Sequence, residues 1–163
     1  MARITGAHHT SFTVAELDRS VEFFRDRLGF ELVSRRQVRE DYFAAIVGLP
    51  GAAVEAALLR VPGAYHHVEL FEYLSPRGVA VEPRPCDPGS CHLSLLVDDL
   101  PALCEQLAAT GVAFVSPPVP ITAGPNRGGY GVYCRDPNGI LVELFQLPPA
   151  PPDRTNHEES PSR

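Results

Sequence analysis

Two hydrophobic periods alternate along the chain. From Ala15 to Leu28, the residues Leu17, Val21, Phe24 and Leu28 recur at spacings of four, three and four. That rhythm gives one apolar helical face, and Gly29 follows as a stop. A second helix is predicted over Pro101–Ala109. Pro101 suits a first helical turn, Leu103 and Leu107 share a face, and Gly111 ends it. Most of the remainder reads as strands: Gly6–Val14, Phe30–Val38, Ala53–Val61, His66–Leu74, His92–Val97, Ala113–Val119, Gly128–Cys134 and Ile140–Leu147. Strands interrupted by two helices give an α+β class.

The pattern occurs twice. His9-Thr10-Ser11-Phe12-Thr13-Val14, then Leu17, is matched by His92-Leu93-Ser94-Leu95-Leu96-Val97, then Leu100, at a constant offset of 83 residues. Val68-Glu69-Leu70-Phe71 is repeated residue for residue as Val142-Glu143-Leu144-Phe145. Each half reads strand, helix, strand, strand, strand, so the chain is predicted to be two tandem βαβββ modules. Module one covers about residues 4–85 and module two about 86–147. Together they form a single domain over 1–147. Residues 148–163, PPAPPDRTNHEESPSR, hold no aliphatic side chain beyond one Ala, and a disordered Pro-rich tail is expected there.

Composition narrows the classes of partner. A formal charge of −6 argues against nucleic acid or an anionic membrane surface. No apolar run reaches the roughly 18 residues of a membrane-spanning helix, and Met1–Gly6 shows no apolar signal segment. A cytoplasmic protein is expected. The four cysteines, at 86, 91, 104 and 134, form no CxxC pair, so free thiols are expected, with Cys104 in the core.

The duplication sets His9 and Glu69 of module one against His92 and Glu143 of module two. Both glutamates lie inside the apolar run VELF. A carboxylate in such a strand must be paired or bound to a cation, and one divalent ion would offset both. Two imidazoles and two carboxylates suit Ni, Co, Zn, Mn or Fe. Strand alternation puts His9 with Ser11 and Thr13, and Glu69 with His67 and Phe71, on faces opposite Phe12, Val68 and Leu70. That is the pattern of a concave sheet lining a pocket while its other face packs on helices. His8, His66 and His67 have no histidine counterparts in module two, so they are secondary candidates. Further pocket candidates are Thr13, His67 and Tyr73. Tyr42 and Phe43, in an insertion-like stretch, and Arg127, the one cation of the loop Gly124–Gly129, complete the set.

These residues resemble the vicinal oxygen chelate superfamily, also called the glyoxalase/bleomycin resistance/dioxygenase superfamily. The likeness runs through His9…Val14-Ala15-Glu16-Leu17…Phe23-Phe24…Leu28-Gly29-Phe30 and Val68-Glu69-Leu70-Phe71. In the second half it runs through His92…Val97-Asp98-Asp99-Leu100 and Asp136-Pro137-Asn138-Gly139…Val142-Glu143-Leu144. The resemblance implies a cup-shaped sheet around one divalent metal held by His9, Glu69, His92 and Glu143, which chelates adjacent oxygens of a small molecule. It also implies a homodimer. The ligand pattern is nearest to bacterial glyoxalase I, and to methylmalonyl-CoA epimerase, which usually carries Gln where Glu69 stands. Thr13 and Tyr73 occupy the positions where bacterial glyoxalase I grips glutathione with Arg and Asn. This points away from glutathione and leaves another thiol or an acyl-CoA open.

The implied activity is enediolate or enolate chemistry: a glyoxalase-like isomerase, epimerase or lyase acting on a small carbonyl or thioester substrate, with Glu143 or Glu69 as the base. A metal-retaining small-molecule or antibiotic-binding resistance protein is the alternative, although aromatics are only 8% with no Trp to line a binding groove. An extradiol-type dioxygenase fits less well. It needs two His and one carboxylate with open positions, and Glu69 would fill one of them.

Overall fold

The computed structural model describes residues 1–150. The expected tail over 148–163 lies almost wholly outside the described residues. Module one runs β1 (His9–Thr13), α1 (Leu17–Glu22, continued by a π-helical turn Phe23–Arg27), β2 (Glu31–Val38), α2 (Asp41–Val47), β3 (Ala53–Arg60) and β4 (His67–Ser75). Module two runs β5 (His92–Leu96), α3 (Leu100–Ala109), β6 (Val119–Pro120), β7 (Tyr130–Arg135) and β8 (Leu141–Gln146). Each module builds one four-stranded mixed sheet, in the orders β1-β4-β3-β2 and β5-β8-β7-β6. In both, the first strand pairs in parallel with the last, and the other neighbours are antiparallel. The α+β class and the tandem βαβββ modules are therefore present as read from the repeat.

Two differences have local causes. The stretch Asp41–Val47 is helical, although it buries only Phe43 and so shows no apolar period to read. Gly48 closes it in the left-handed conformation, φ 68°, which glycine adopts without steric cost. The strand expected over Ala113–Val119 is reduced to a single bridge, Phe114 to Cys134, and the two-residue β6. Pro117 and Pro118 lack the N–H that a ladder requires.

One face of each sheet and the buried sides of α1 and α3 share one core. Leu17, Phe24, Leu59 and Leu70 of module one cluster with Leu100, Val142 and Leu144 of module two, each at most 1% exposed. The π turn widens the helix end so that the adjacent Phe23 and Phe24 both face inward. Equivalent side chains start the two principal helices. Leu17 N–H donates to the Glu72 carboxylate at 3.0 Å, and Leu100 N–H donates to the Gln146 side-chain oxygen at 2.7 Å. Asp99 caps α3 further by accepting from Ala102 N–H.

A polar clasp crosses between the modules. Asn138 Oδ1 accepts from the N–H groups of Ala15 and Glu16, both at 3.0 Å, and its amide donates to Glu16 O and Ser20 Oγ. Ser20 Oγ donates in turn to Asp136 Oδ2, while Asp136 Oδ1 accepts from the N–H groups of Asn138 and Ile140. Ser20 and Asp136 are both buried. Burial pushes the Asp136 carboxyl above its usual range, against the pull of the hydrogen bonds from Ser20, Ile140 and Asn138. No helix among the described residues is long and apolar enough to cross a membrane.

Cys86 and Cys91 are exposed and Cys104 and Cys134 are buried. Burial raises both inner thiols, Cys134 to about 12. A thiol-reactive dye should therefore titrate two sites in the native protein and the remaining two only in denaturant. Ser20→Ala leaves the buried Asp136 short of a donor. It should lower unfolding stability by about 1–3 kcal/mol in a urea titration.

Candidate functional site

Alternation on the outer faces of the two sheets brings the chemistry together. In β4, Val68 and Leu70 point into the core with no exposure, so Glu69 and Phe71 point away from it. In β1, Phe12 is buried and His9, Ser11 and Thr13 are exposed. The β1–β4 register sets Ser11 beside Glu69, and the His9 imidazole reaches across so that Nε2 lies 3.2 Å from Glu69 Oε2. Module two repeats this. Ser94 is beside Glu143 in the β5–β8 register, and His92 Nε2 lies 3.4 Å from Glu143 Oε2. The glutamate side chains are 23% and 22% exposed. They are dry enough to need a partner and open enough to receive one.

The structure therefore joins His9 with Glu69, and His92 with Glu143, as two separate pairs. Among the described residues no group of three or more His, Cys, Asp or Glu side chains is arranged to hold a metal. One chain does not assemble the four expected ligands at one point. Each pair nevertheless fits an ion by itself. Nitrogen and carboxylate ligands sit about 2.0–2.2 Å from a metal such as zinc, so neighbouring ligands at right angles are about 3 Å apart. The donor set, imidazole plus carboxylate, is that of a borderline divalent ion.

Other imidazoles crowd the first pair. His8 Nδ1 is 2.7 Å from His9 Nδ1, and the His8 ring stacks on that of His67 with centroids 6.0 Å apart. His67 Nδ1 is buried and has no hydrogen-bond partner among the described residues. His66 is turned elsewhere, its Nε2 2.9 Å from Thr10 Oγ1. At the second pair the neighbour is Tyr133, whose ring packs edge-on to His92 at 5.2 Å. Burial, and then the Glu143 charge, raise its phenol. The β7–β8 register, which sets Tyr133 opposite Glu143, is what brings its ring to His92.

A cavity of about 330 Å³ opens above the first pair. Its floor carries Glu69, Phe71, Ala56 and Leu58, and α2 roofs it with Phe43 and Val47. Phe43 holds that roof: it packs on Phe71 at 5.5 Å and Tyr73 at 6.2 Å within a small apolar cluster that includes Val38 and Val54. Tyr42 and Phe43, expected to shape a pocket, do so. Arg36 and Ser34 of β2 also line it, although no repeat or motif marks them. Thr13 and Tyr73 border a different cavity, beside Arg77 and the segment Gly78–Val81. Arg127 is exposed in a hairpin loop held by its own backbone bonds, Arg127 N–H to Gly124 O and Gly129 N–H to Asn126 O. Nothing in that loop brings it to either pair.

The family model of the Glyoxalase/Bleomycin resistance protein/Dioxygenase superfamily matches residues 6–144. The chain belongs to this superfamily. It is 36% identical over 149 residues to a 2-epi-5-epi-valiolone epimerase from Actinomyces, covering 89% of this chain and 81% of that protein. It is 30% identical over 143 residues to the lactoylglutathione lyase of Haemophilus influenzae, covering 85% and 90%. A glyoxalase family protein from Bacillus cereus has the same fold, with a TM-score of 0.79 at 23% identity over 90% of this chain and 97% of that one.

Phe43 is 6% exposed, and Phe43→Ala removes the contact that seats α2. The variant should lose about 3 kcal/mol in denaturant unfolding. Its amide exchange should rise in Asp41–Val47 before it rises in the main core.

Proposed function

We propose that the protein is a divalent-metal-dependent enzyme that moves a proton at a carbon beside a carbonyl and epimerises that carbon in a small carbonyl or thioester substrate. The duplicated His–Glu pair carries this reading. His9 with Glu69 and His92 with Glu143 are equivalent in sequence, register and spacing. The relative named as an epimerase supports epimerisation over lyase chemistry.

The residues that would hold the metal are His9 and Glu69 of one copy and His92 and Glu143 of a second. β1 and β5 are both terminal strands of their sheets, so each offers a free ladder edge close to its pair. A two-fold dimer that sets β1 of one copy near β5 of the other would complete two sites. Bound there, a divalent ion supplies a Lewis acid that acidifies a C–H next to a carbonyl.

The chain's own residues do the rest. A carboxylate of Glu143 or Glu69 takes the proton as the C–H bond breaks, and the electron pair moves onto the carbonyl oxygen. The other glutamate, which enters the step as the carboxylic acid, gives its proton to the opposite face as the electron pair returns from oxygen to carbon, so C–H re-forms with inverted configuration and the two side chains exchange protonation states. The two glutamates come from different modules, so they approach a substrate from different sheets. The low-dielectric strands around Val142 and Leu144, at most 1% exposed, strengthen each interaction. The roof formed by α2 screens the reacting carbon from bulk water.

Two experiments test this. His9→Ala and His92→Ala should each abolish tight binding of Ni, Co, Zn or Mn. Unfolding, mixing and refolding the two variants should restore about a quarter of the wild-type metal, because mixed dimers hold one intact site and one doubly broken site. Absence of metal in the wild type overturns the metal reading, and no recovery on mixing overturns the shared site. Glu143→Gln should retain metal but slow exchange of substrate C–H with deuterated water by about 10²–10⁴-fold. Turnover that depends on dioxygen would exclude proton transfer as the reaction.

A further inference from the structure

We infer that the seam between the two modules holds a second binding site, a cavity of about 420 Å³ in which Arg19, Arg27 and Arg135 take the phosphate group of a small phosphorylated compound. Its lining shares no residue with either His–Glu pair or with the cavity roofed by α2. The site therefore stands or falls independently of the proton-transfer reading.

Three segments from both modules supply the arginines. Arg19 lies on α1, Arg27 ends the π turn, and Arg135 is the last residue of β7. The stretch Thr110–Ala113, after α3, closes the cavity. A chain of formal charge −6 thus gathers three of its 14 cationic side chains on one cavity, which favours an anion there.

The hydrogen bonds of these arginines carry the inference further. A guanidinium grips an oxyanion best through two parallel N–H bonds. Elsewhere the chain fills such forks itself. Arg25 holds both oxygens of Asp26 through Nε and Nη2, at 2.6 and 2.7 Å. Arg35 holds Glu55 through Nε and Nη2, at 2.8 and 2.7 Å, and Asp18 through Nη1 at 2.6 Å. Around the seam cavity the forks stay open. Arg135 donates through Nη1 to Gly139 O at 2.9 Å, and no carboxylate among the described residues pairs with it. Arg19 gives one Nη1 bond, to Glu16 at 2.9 Å, in a pair whose side chains are both more than half exposed. Each keeps its Nε and Nη2 hydrogens for another acceptor. Arg27 ties the seam by donating to Thr110 O and reaches Glu22 only at 3.4 Å.

Two carboxylates border the cavity, and neither closes those forks. Glu22 is exposed, so solvent screens its charge. Asp136 commits both oxygens to the clasp, to Ser20 and to the N–H groups of Asn138 and Ile140. Two open forks then set the ligand class. A planar carboxylate has two oxygens and fills one fork. A phosphate monoester carries three terminal oxygens and nearly two negative charges at neutral pH, so it serves both. Val112, Ala113 and Pro137 complete the wall, and their apolar surface suits a small carbon body attached to the phosphate.

Calorimetry and thermal melting of the full chain, at neutral pH and constant ionic strength, test this with phenyl phosphate, benzoate and inorganic phosphate. Phenyl phosphate should bind with a Kd below about 1 mM and raise the Tm as its concentration passes that value. It should bind at least about tenfold tighter than benzoate, which has the same ring and a planar head. Arg19→Gln and Arg135→Gln should each weaken it at least about tenfold. Arg135→Lys should recover part of the loss, because it keeps the charge without the planar fork. Arg84→Gln removes an exposed arginine outside the cavity and should leave binding unchanged. Should Arg135→Gln melt early through loss of its bond to Gly139, Arg19→Gln decides, since Arg19 is held only by the exposed Glu16. Equal binding of benzoate overturns the phosphate assignment, and equal binding of inorganic phosphate overturns the carbon body. Binding that survives in both glutamine variants places the ligand elsewhere, a metal on the His–Glu pairs included, and overturns the site. An equal loss in Arg84→Gln reveals general charge attraction and overturns it too.

Discussion

The carboxylate of Asp136 is almost fully enclosed, and the structure depends on how it is satisfied. A buried carboxylate without donors would cost several kcal/mol. Two of its partners, the N–H groups of Asn138 and Ile140, come from the turn around it, and one, Ser20, comes from the other module. Asn138 extends the same network to the first residues leading into α1. The turn before β8 is thereby tied to the helix after β1. Glu143 follows that turn and His9 precedes that helix, so one polar network sets the bearings of two ligand strands in different modules.

Below the clasp, the shared core does the same by packing. α1 and α3 both bury their apolar sides in the core they share with the two sheets, which commits one face of each sheet to the interior. The outer faces are then the only places where half-buried histidines and glutamates can meet solvent or substrate. Each sheet carries one His–Glu pair there. Among the described residues the two pairs form no common cluster, and β1 and β5, the terminal strands of their sheets, each run beside one pair.

The modules share a plan but divide the labour. Module one inserts α2 between β2 and β3, and Phe43 seats it over the sheet to make a roofed cavity. Module two has β6 and a long Pro-containing approach in the corresponding region, with Tyr133 beside its histidine. The roofed cavity thus belongs to module one, where Arg36 and Tyr42 line it. Duplication supplied the symmetric chemistry, and the departure from duplication supplied the shape.

Much of this was legible in the chain. The period of four and three marked α1, the VELF repeat marked the two glutamate strands, and alternation alone separated Phe12 and Leu70 from His9 and Glu69. These follow from local geometry, because a strand must turn successive side chains to opposite faces. Other features depended on contacts between distant segments. Asp41–Val47 is a helix because Phe43 finds Phe71 and Tyr73, not because seven residues show a period. Arg35 and Arg36 are chemically identical neighbours. Only the pairing of β2 with β3 decides which is bound to Asp18 and Glu55 and which faces the cavity. Likewise, the spacing of His9, Glu69, His92 and Glu143 identified them as a set. Whether they converge depends on how two sheets sit across a common core, and that arrangement buries the helices between the modules and leaves the two pairs apart.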